Sequence, residues 1–407
     1  MKKFILALTG AALCCVMASA QSATTTTRYV LSSVAENKRV ETWSLDNRKL
    51  RDPAEWSIRK FPLHGGKQEG VDVIELRSGP LKIAVVPTRG MSVRSVEMGD
   101  VALGWKSPVV ETVNPAYMNL ESRGGLGWLD GFNEWMVRAG IEWAGHPGMD
   151  NGRMLTLHGR IGNIPASEVE VVVERGEKTT LRIRGRVDEK SMFGAALELW
   201  TEISTVVGSN RFTISDQIRN AGSLPQEYQI IYHGNYGAPL LEEGSRFVAP
   251  IRELRPLDGE AGKAMDEYAT YRAPVAGFKE QVYGVQMWAD ESQRTLVMLR
   301  NRAGDKAMTM AYSVNELPYL NLWKNTGAAA DAYVTGLEPA TGYAANRSVE
   351  RAAGRVPTLA PGETRRISLD FALLNSAADV ARATAAIEAI QSGRKTTMNP
   401  ETIKPAN

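Results

Sequence analysis

The sequence predicts an all-β protein in which antiparallel strands form a sandwich or a barrel. Short runs rich in Val, Ile, Thr and aromatic residues recur along the chain, separated by Gly, Asp and Asn turns. Several neighbouring runs are joined by turns short enough for hairpins, and helical patterns are scarce. Strands at this frequency, with hairpin connections, favour antiparallel sheets over βαβ units.

The predicted strands follow this pattern in chain order. They cover residues 71–79, 81–105, 167–187, 197–207, 211–220, 294–301, 306–314 and 365–373, and the segment 167–187 is predicted to turn back on itself at 175–178. A further strand begins at Tyr228 and is predicted to end at His233, because Gly234 and Gly237 follow closely. Glycine at a strand end permits tight turns and the close approach of another group.

Two segments carry helical signals. Residues 376–393 form a predicted helix that begins at a Ser376 cap and ends at Gly393. Residues 127–140 are predicted to include a short helix. The C-terminal helix is therefore the main exception to an all-β chain.

The N-terminal segment is typical of a bacterial secretory signal. Residues 1–20 contain Lys2 and Lys3, an apolar run and the small residues Ala18 and Ala20 before the expected cleavage site after Ala20. A lipid anchor at the adjacent cysteines is the alternative, although a leucine stands where a small residue is expected. The signal predicts a periplasmic or secreted protein.

The domain organisation that follows is simple, because no Pro/Ser-rich linker, charge block or internal repeat divides the chain. We expect the following order along the sequence: a signal peptide over 1–20, a flexible lead-in over 21–40, one β domain over 41–375, a helix over 376–393 and a tail over 394–407.

Charge and cysteine content exclude several function classes. Removing residues 1–20 takes two lysines from the 48 basic residues, which leaves as many basic as acidic residues, 46 of each. A chain without a charge excess has no electrostatic footprint for nucleic acid or for an anionic membrane. Both cysteines, Cys14 and Cys15, are removed with the signal, so no disulfide or thiol chemistry is expected. The expected partner is a small neutral molecule.

Histidine is rare in this chain, which has four, and two of them stand at apparent strand ends before a glycine. His233 precedes Gly234, and His158 lies in the segment LHGRIGN. Functional side chains often stand where a rigid scaffold ends. A hydrogen-bonded structural role is the alternative for each histidine, and His146 is interpreted as part of a loop turn.

Glu338 is the candidate carboxylate. It precedes Pro339 in GLEPATG, and a proline keeps the preceding residue extended. A surface glutamate without a function is the alternative from the motif alone. Four tryptophans, Trp105, Trp128, Trp135 and Trp143, are predicted mainly to fill the core, with ligand contact by at least one as the alternative.

Other chemistries find little support in the motifs. The chain has no H-E-x-x-H, no metal-spaced Cys/His set, no G-x-S-x-G elbow and no phosphate-binding glycine loop. Glu134 and Glu142 are a weak option for the paired carboxylates of a glycoside hydrolase.

Several segments together resemble one family. PTRGM, GWLDGFNEW, LHGRIGNIPA, the strand that ends in His233, ELPYLNLW and GLEPATG are similar to the aldose 1-epimerase (galactose mutarotase-like) superfamily, in particular to a bacterial aldose 1-epimerase-like branch. The likeness runs from about residue 70 to residue 375. It implies a galactose mutarotase-like β-supersandwich of antiparallel sheets with a short C-terminal helix.

The resemblance also implies a reaction and its residues. In the epimerases a glutamate removes the proton of the anomeric hydroxyl while a histidine protonates the ring oxygen, and no cofactor is needed. Carried over motif by motif, the glutamate falls on Glu338, the acidic histidine on His233 and a helper histidine on His158. Here His233-Gly234-Asn235 departs from the aromatic pair that the epimerases usually have before the asparagine.

Further residues of the branch are expected to bind substrate: Arg89, Arg160, Asn235, Trp323 and Lys324. The cations among them suit a carboxylate or sulfonate on an acidic sugar, and structural ion pairs are the alternative. The expected function is cofactor-independent sugar mutarotation. The alternatives are carbohydrate binding without turnover, a lyase or hydrolase acting on a modified glycoside, and a metal site formed by His158, His233 and Glu338.

Overall fold

The computed structural model describes Met1 and residues 24–404. The predicted signal peptide and both cysteines therefore lie outside the described residues, apart from Met1. Among the described residues, none of the helices combines the length and the apolar character that crossing a bilayer requires.

Strands make up most of the regular structure. Their bounds are β1 (Thr25–Ser33), β2 (Lys38–Arg39), β3 (Trp43–Asp46), β4 (Trp56–Pro62), β5 (Asp72–Ser78), β6 (Leu81–Val86), β7 (Ser92–Met98), β8 (Val101–Leu103), β9 (Met136–Ile141), β10 (Gly148–Asp150), β11 (Arg153–Leu155), β12 (Glu168–Arg175), β13 (Thr179–Lys190), β14 (Ala196–Val206), β15 (Arg211–Asn220), β16 (Gln226–Glu227), β17 (Gln229–Tyr236), β18 (Arg246–Val248), β19 (Ile251–Pro256), β20 (Gln281–Met287), β21 (Arg294–Arg300), β22 (Ala307–Ser313), β23 (Tyr319–Thr326), β24 (Tyr333–Ala340), β25 (Thr358–Leu359), β26 (Thr364–Leu374) and β27 (Thr397–Met398).

The helices are few and mostly short. The α-helices are α1 (Ser122–Gly125), α2 (Gly259–Gly262), α3 (Arg347–Ala352) and α4 (Ala377–Gln391). Turns of 3-10 helix cover Gly66–Gln68, Pro87–Arg89, Pro115–Tyr117, Gly127–Gly131, Ile161–Asn163, Met265–Glu267 and Ala329–Asp331. The predicted C-terminal helix is confirmed, because the Ser376 hydroxyl caps α4 by accepting from the Asp379 N–H.

Two large sheets pack face to face. The ten-stranded sheet has the order β18-β21-β22-β26-β15-β14-β13-β12-β1-β2. The thirteen-stranded sheet runs β27-β19-β20-β23-β24-β17-β9-β7-β6-β5-β4-β3, with β8 beside β7. Apart from the parallel pair β19–β27, the described strand pairs are antiparallel. The fold class is therefore the predicted galactose mutarotase-like antiparallel sandwich.

The core lies between the two sheets and is fixed by aromatic and ionic contacts. The ring centroid of Trp135, the residue before β9, stands 5.6 Å from that of Phe212 and 5.2 Å from that of Phe371, both on the ten-stranded sheet. Arg138 on β9 forms a fully buried ion pair with Asp216 of β15. The Tyr232 hydroxyl on β17 donates to the same carboxylate at 2.8 Å. These contacts hold β9 and β17 rigidly against the opposite sheet.

Two sequence-based expectations are wrong in detail. Most of the lead-in expected over 21–40 is ordered, since residues 25–33 form β1 and pair along β12. The short helix expected over 127–140 is a 3-10 turn followed by β9, because Trp135 and its neighbours are buried in the sheet. Both segments depend on distant partners that local sequence patterns do not display.

Candidate functional site

A cavity of about 140 Å³ opens on the face of the thirteen-stranded sheet that points away from the ten-stranded sheet. Along β17 the side chains alternate, so that Tyr232 enters the core while His233 points to the outer face. The lining residues are Leu126, Trp128, Leu129, Phe132, His146, Leu157, His158, His233, Glu280, Val282, Trp323, Glu338 and Ala344. The cavity thus has aromatic and aliphatic walls with a few polar groups.

His233 and Glu338 meet on two adjacent strands of this face. The pairing of β17 with β24 aligns Gly234 with Leu337 and therefore brings His233 opposite Glu338. The Nε2 atom of His233 lies 3.3 Å from Oε1 of Glu338. The two residues are 5% and 2% exposed, respectively. The strand register, rather than a flexible loop, thus sets the position of this pair.

Asn235 fixes the tautomer of His233. Its side-chain NH₂ donates to the backbone carbonyls of Glu134 and His233, both at 3.0 Å. Its Oδ1 therefore faces Nδ1 of His233, at 2.8 Å, and accepts the proton that Nδ1 carries. In the neutral imidazole, Nε2 then has a free lone pair that points toward Glu338.

Burial disfavours the charged form of both members of the pair. Desolvation lowers the pKa of His233 to about 4, although the Asn235 hydrogen bond opposes this shift. Burial, reinforced by the nearby carboxylate of Glu280, raises the pKa of Glu338 well above its usual range. The two shifts therefore favour a proton on Glu338 and a neutral His233. Among the described residues, Oε1 of Glu338 has no hydrogen-bond partner.

Two glycines and an asparagine shape the space around Glu338. A Cβ on Gly336 would overlap Oε1 of Glu338 and lie 3.1 Å from its Cδ, so only glycine leaves room for this carboxyl. A Cβ on Gly234 would lie 3.1 Å from the Leu337 carbonyl oxygen. Asn321 of β23 lies opposite Glu338 of β24 in the strand register. Its side-chain Oδ1 accepts a hydrogen bond from the Ala344 N–H at 2.9 Å. Gly336 lies inside β24.

His158 and His146 also line the cavity. The ring of His158 stands edge-on to His233, with 5.2 Å between the ring centroids. Burial, with His233 and His146 nearby, lowers the pKa of His158 well below its usual range. Burial together with Lys404 lowers the pKa of His146 to about 4. At neutral pH the three histidines are therefore neutral groups that can exchange hydrogen bonds with a polar ligand.

The aromatic wall surrounds His233. Trp128, Phe132 and Trp323 have ring centroids 5.7, 5.1 and 5.6 Å, respectively, from that of His233. The indole N–H of Trp323 donates to Glu280 Oε2 at 2.8 Å, which places a carboxylate at the rim. Flat apolar faces beside a hydrogen-bonding group suit a sugar ring, which has both C–H faces and hydroxyls.

Three predicted substrate-binding cations do not line this cavity. Arg89 is 1% exposed and forms an ion pair with Glu134. Its Nη1 donates to the Val113 carbonyl at 3.0 Å, which makes it a structural residue. The polar character of Arg89 is therefore explained by a buried ion pair, and the prediction of a groove-lining role is wrong.

Arg160 and Lys324 also have other partners. The guanidinium of Arg160 forms ion pairs with the carboxylates of Glu142 and Glu189, at N–O distances of 2.8 Å and 3.1 Å, respectively. Lys324 alternates with Trp323 along β23 and points to the opposite face, where its ammonium donates to the carbonyls of residues 267 and 270, both at 2.8 Å. Among the described lining residues there is no arginine or lysine. The contacts of Arg160 and Lys324 therefore favour the structural alternative over recognition of an acidic sugar in this cavity.

The structure thus brings His158, His233, Glu338 and Trp323 to one cavity and places Asn235 directly behind His233. Asn235 is fully buried, so it orients the histidine and does not itself face the cavity. Sequence reasoning missed Phe132, His146 and Glu280. Phe132 lies within a segment predicted to be helical, and no local signal distinguishes His146 or Glu280 from an ordinary loop residue.

The described residues do not support the metal alternative. Within residues 24–404, no group of three or more His, Cys, Asp or Glu side chains is arranged to hold a metal ion. His158, His233 and Glu338 are neighbours, and the contact with Asn235 already uses one nitrogen of His233. The geometry favours proton transfer between neighbouring groups.

The fold and the His–Glu pair on its outer face define a galactose mutarotase-like sandwich protein. More particularly, the chain belongs to the family described as Domain of unknown function (DUF4432), whose family model matches residues 68–373. The chain matches no protein of curated function.

Solved structures agree with this class. A candidate aldose 1-epimerase from Klebsiella pneumoniae subsp. pneumoniae MGH 78578 is 42% identical and superposes with a TM-score of 0.92, covering 94% of this chain and 100% of its own. The Slr1438 protein from Synechocystis sp. PCC 6803 is 16% identical, with a TM-score of 0.51 and coverage of 75% and 96%.

A galactose mutarotase-like protein from Clostridium acetobutylicum is 15% identical, with a TM-score of 0.50 and coverage of 78% and 98%. The proteins from Synechocystis and Clostridium are only 16% and 15% identical to this chain, so the likeness to them concerns the fold alone.

Proposed function

We propose that this protein is a cofactor-independent sugar epimerase that exchanges the anomers of an aldose by opening and reclosing its ring. The observation that carries the proposal is the 3.3 Å approach of His233 Nε2 to Glu338 Oε1 within a cavity with aromatic walls. The two oxygens of an anomeric centre are bonded to the same carbon. Two groups at hydrogen-bond spacing can therefore reach both oxygens at once.

The protonation of the pair supports a specific division of roles. The Glu338 carboxyl donates its proton to the ring oxygen while Nε2 of His233 takes the proton of the anomeric hydroxyl. The bond between C1 and the ring oxygen breaks, and C1 becomes a carbonyl carbon. After rotation about C1–C2 the ring oxygen attacks the other carbonyl face, and both protons return to their donors.

These roles are the reverse of those expected from the family resemblance. The resemblance makes Glu338 the base and His233 the acid, whereas burial favours the proton on Glu338 and a neutral His233. With either assignment of roles, the pair accepts one proton and donates another. A positioned acid or base accelerates the reaction roughly 10²–10⁴-fold. His158 is proposed to hydrogen-bond a sugar hydroxyl.

The lining favours an uncharged sugar. The described lining residues include two glutamates and no lysine or arginine, so an acidic sugar would find no cation on the wall. We propose that C–H faces of the ring pack on Trp128, Phe132 and Trp323, and that Glu280 accepts a hydrogen bond from a hydroxyl.

We further propose that the protein acts in the periplasm or after secretion. The proposal rests on the charged, apolar and small-residue pattern of residues 1–20. Cell fractionation followed by N-terminal sequencing checks it. Recovery from the periplasm or the medium with a new N-terminus after Ala20 is expected, and a cytoplasmic protein that retains Met1 contradicts it.

Exchange spectroscopy by NMR tests the proposed reaction directly. The chain lacking residues 1–20 is added to D-glucose, D-galactose and D-glucuronic acid, and the rate of anomer exchange is measured. The wild type is expected to accelerate exchange for a neutral sugar, and Glu338→Gln and His233→Ala are expected to abolish the acceleration.

A matched control is available on the surface. His64 and Glu69 form a similar pair at 3.1 Å but are exposed. His64→Ala and Glu69→Gln should leave the exchange rate unchanged. Binding shifts without exchange in the wild type would favour a carbohydrate-binding protein, and a new reducing end or an unsaturated product from a glycoside would favour a hydrolase or lyase.

A further inference from the structure

The C-terminal strap, defined as residues 396–404, is attached along the edge of the thirteen-stranded sheet. Its strand β27 pairs in parallel with β19. Beyond β27, the backbone N–H groups of residues 399, 403 and 404 donate to the carbonyls of residues 254, 256 and 257 at 2.9–3.0 Å. Regular backbone hydrogen bonds therefore fix the strap across this edge, where a frayed tail would have none.

The strap ends behind the wall of the cavity. Ile403 is 7% exposed and belongs to a hydrophobic cluster with Leu257, Val282, Tyr343 and Ala345, against which Trp323 packs. Val282 and Trp323 are themselves lining residues. Ile403 thus shares a hydrophobic cluster with one lining residue, Val282, and the other, Trp323, packs against that cluster.

The sheet leaves space for this side chain. A Cβ on Gly284 would overlap Cδ1 of Ile403 and lie 2.6 Å from Cδ1 of Tyr343. Gly284 lies in β20, two residues after Val282, and pairs with β19; its lack of a side chain lets Ile403 approach the sheet backbone. A loosely attached tail would not require such a fit.

The charges at the end of the strap lie near the same cavity. Lys404 is half-buried, and burial lowers its pKa while Asp258 and Glu280 oppose that shift. Lys404 in turn contributes to the low pKa of His146. Glu280 and His146 both line the cavity, which places the end of the strap beside its mouth.

We propose that the C-terminal strap is part of the sugar site, because Ile403 packs behind Val282 and Trp323 and holds this wall where a sugar ring contacts it. Ile403 is a positioning residue in this proposal, since it acts through the wall. The identity of the ligand as a sugar rests on the proposed function. The coupling between the strap and the wall does not depend on that function.

The test uses the full chain labelled with ¹⁵N in its tryptophan indoles. Ile403→Ala is expected to shift the indole N–H resonance of Trp323 and to raise KM for the sugar that the wild type exchanges by about tenfold, with kcat within about threefold. Ile403→Val should keep both the Trp323 resonance and KM close to their wild-type values. Met398→Ala is the matched control, because Met398 lies on the same strap but is 39% exposed.

The outcomes separate the two proposals. An unchanged Trp323 resonance, or an unchanged KM, in a folded Ile403→Ala variant overturns the role of the strap. If wild-type protein exchanges no anomers but D-glucose or D-galactose shifts its resonances, the proposed reaction fails, and the dissociation constant replaces KM in the same comparison. If neither sugar binds, the Trp323 resonance alone decides for or against the strap.

Discussion

Replacing Gly336 by alanine should separate catalysis from folding. Gly336 lies in β24 between Asn235 and Trp323 of the flanking strands, and its extended backbone accepts alanine. The added Cβ would overlap Oε1 of Glu338 and lie 3.1 Å from Cδ. Ordinary contact between carbon atoms requires about 3.5 Å, so Cδ must move by about 0.4 Å, and the overlapped Oε1 must move further, by about 1 Å.

The two consequences of this shift differ in size. Alanine in a strand interior gains roughly 0.5–1 kcal/mol over glycine, and an off-rotamer Glu338 loses roughly 0.5–1.5 kcal/mol. The free energy of unfolding should therefore change by no more than about 1 kcal/mol. A misplacement of about 1 Å at a reacting group can lower the rate about 10²-fold. We expect turnover to fall by that factor with little change in Tm.

Anomer exchange by NMR and thermal unfolding by circular dichroism measure the two effects. Gly259→Ala is the control, because a Cβ at that position meets no atom within 4 Å. Turnover within threefold of wild type for Gly336→Ala, alongside an inactive Glu338→Gln variant, would refute the argument that Gly336 sets the position of the carboxyl.

Three further predictions follow from the same contacts. The rate of anomer exchange should fall as pH drops through about 4, where His233 gains a proton and ceases to accept one, and again as pH rises through the raised pKa of Glu338, where the carboxyl loses the proton it donates. A profile of kcat/KM that lacks the acidic limb would contradict this. Because His233 has a pKa of about 4 in the fold and about 6.5 when unfolded, the unfolded chain binds more protons at this residue between these values, and His233 alone should lower stability by about 3 kcal/mol as pH drops from 6.5 to 4. Urea unfolding at both pH values checks this contribution: the wild type should lose about 3 kcal/mol more than His233→Gln, in which the pKa values of His146 and His158 are still lowered. Arg89→Met should cost about 3–5 kcal/mol of stability by leaving Glu134 buried without its partner, and an unchanged urea midpoint would show that the ion pair contributes nothing.

Sequence patterns predicted the fold class because alternation along a strand is a local property. Strands such as β13 and β14 alternate buried and half-exposed residues, which the amino-acid order displays directly. β1 was not predicted, because its run of threonines is polar and becomes a strand through pairing with β12. The order of the strands in each sheet depends on such distant pairings as well.

The candidate site was predictable only in part, for a related reason. His233, His158 and Glu338 carry family-like motifs, and the structure brings them to one cavity. Arg89 and Lys324 looked equally functional, yet their partners lie far away in the chain. A buried ion pair and a substrate-binding cation have the same amino-acid signature until the tertiary contacts are known.

The preference of His233 and Glu338 for their neutral forms follows from their place in the fold. A zwitterion of His233 and Glu338 would need to offset the desolvation of two charges, and among the described residues Glu338 Oε1 accepts no hydrogen bond that would help. The neutral pair avoids that cost and still has one proton to give and one lone pair to receive. In the proposed reaction the sugar presents its ring oxygen to Glu338 and its anomeric hydroxyl to His233, and the two proton transfers create opposite charges only 3.3 Å apart, which stabilise each other during ring opening. Burial therefore suits the pair to the proposed simultaneous acid and base catalysis and disfavours a single ionised group.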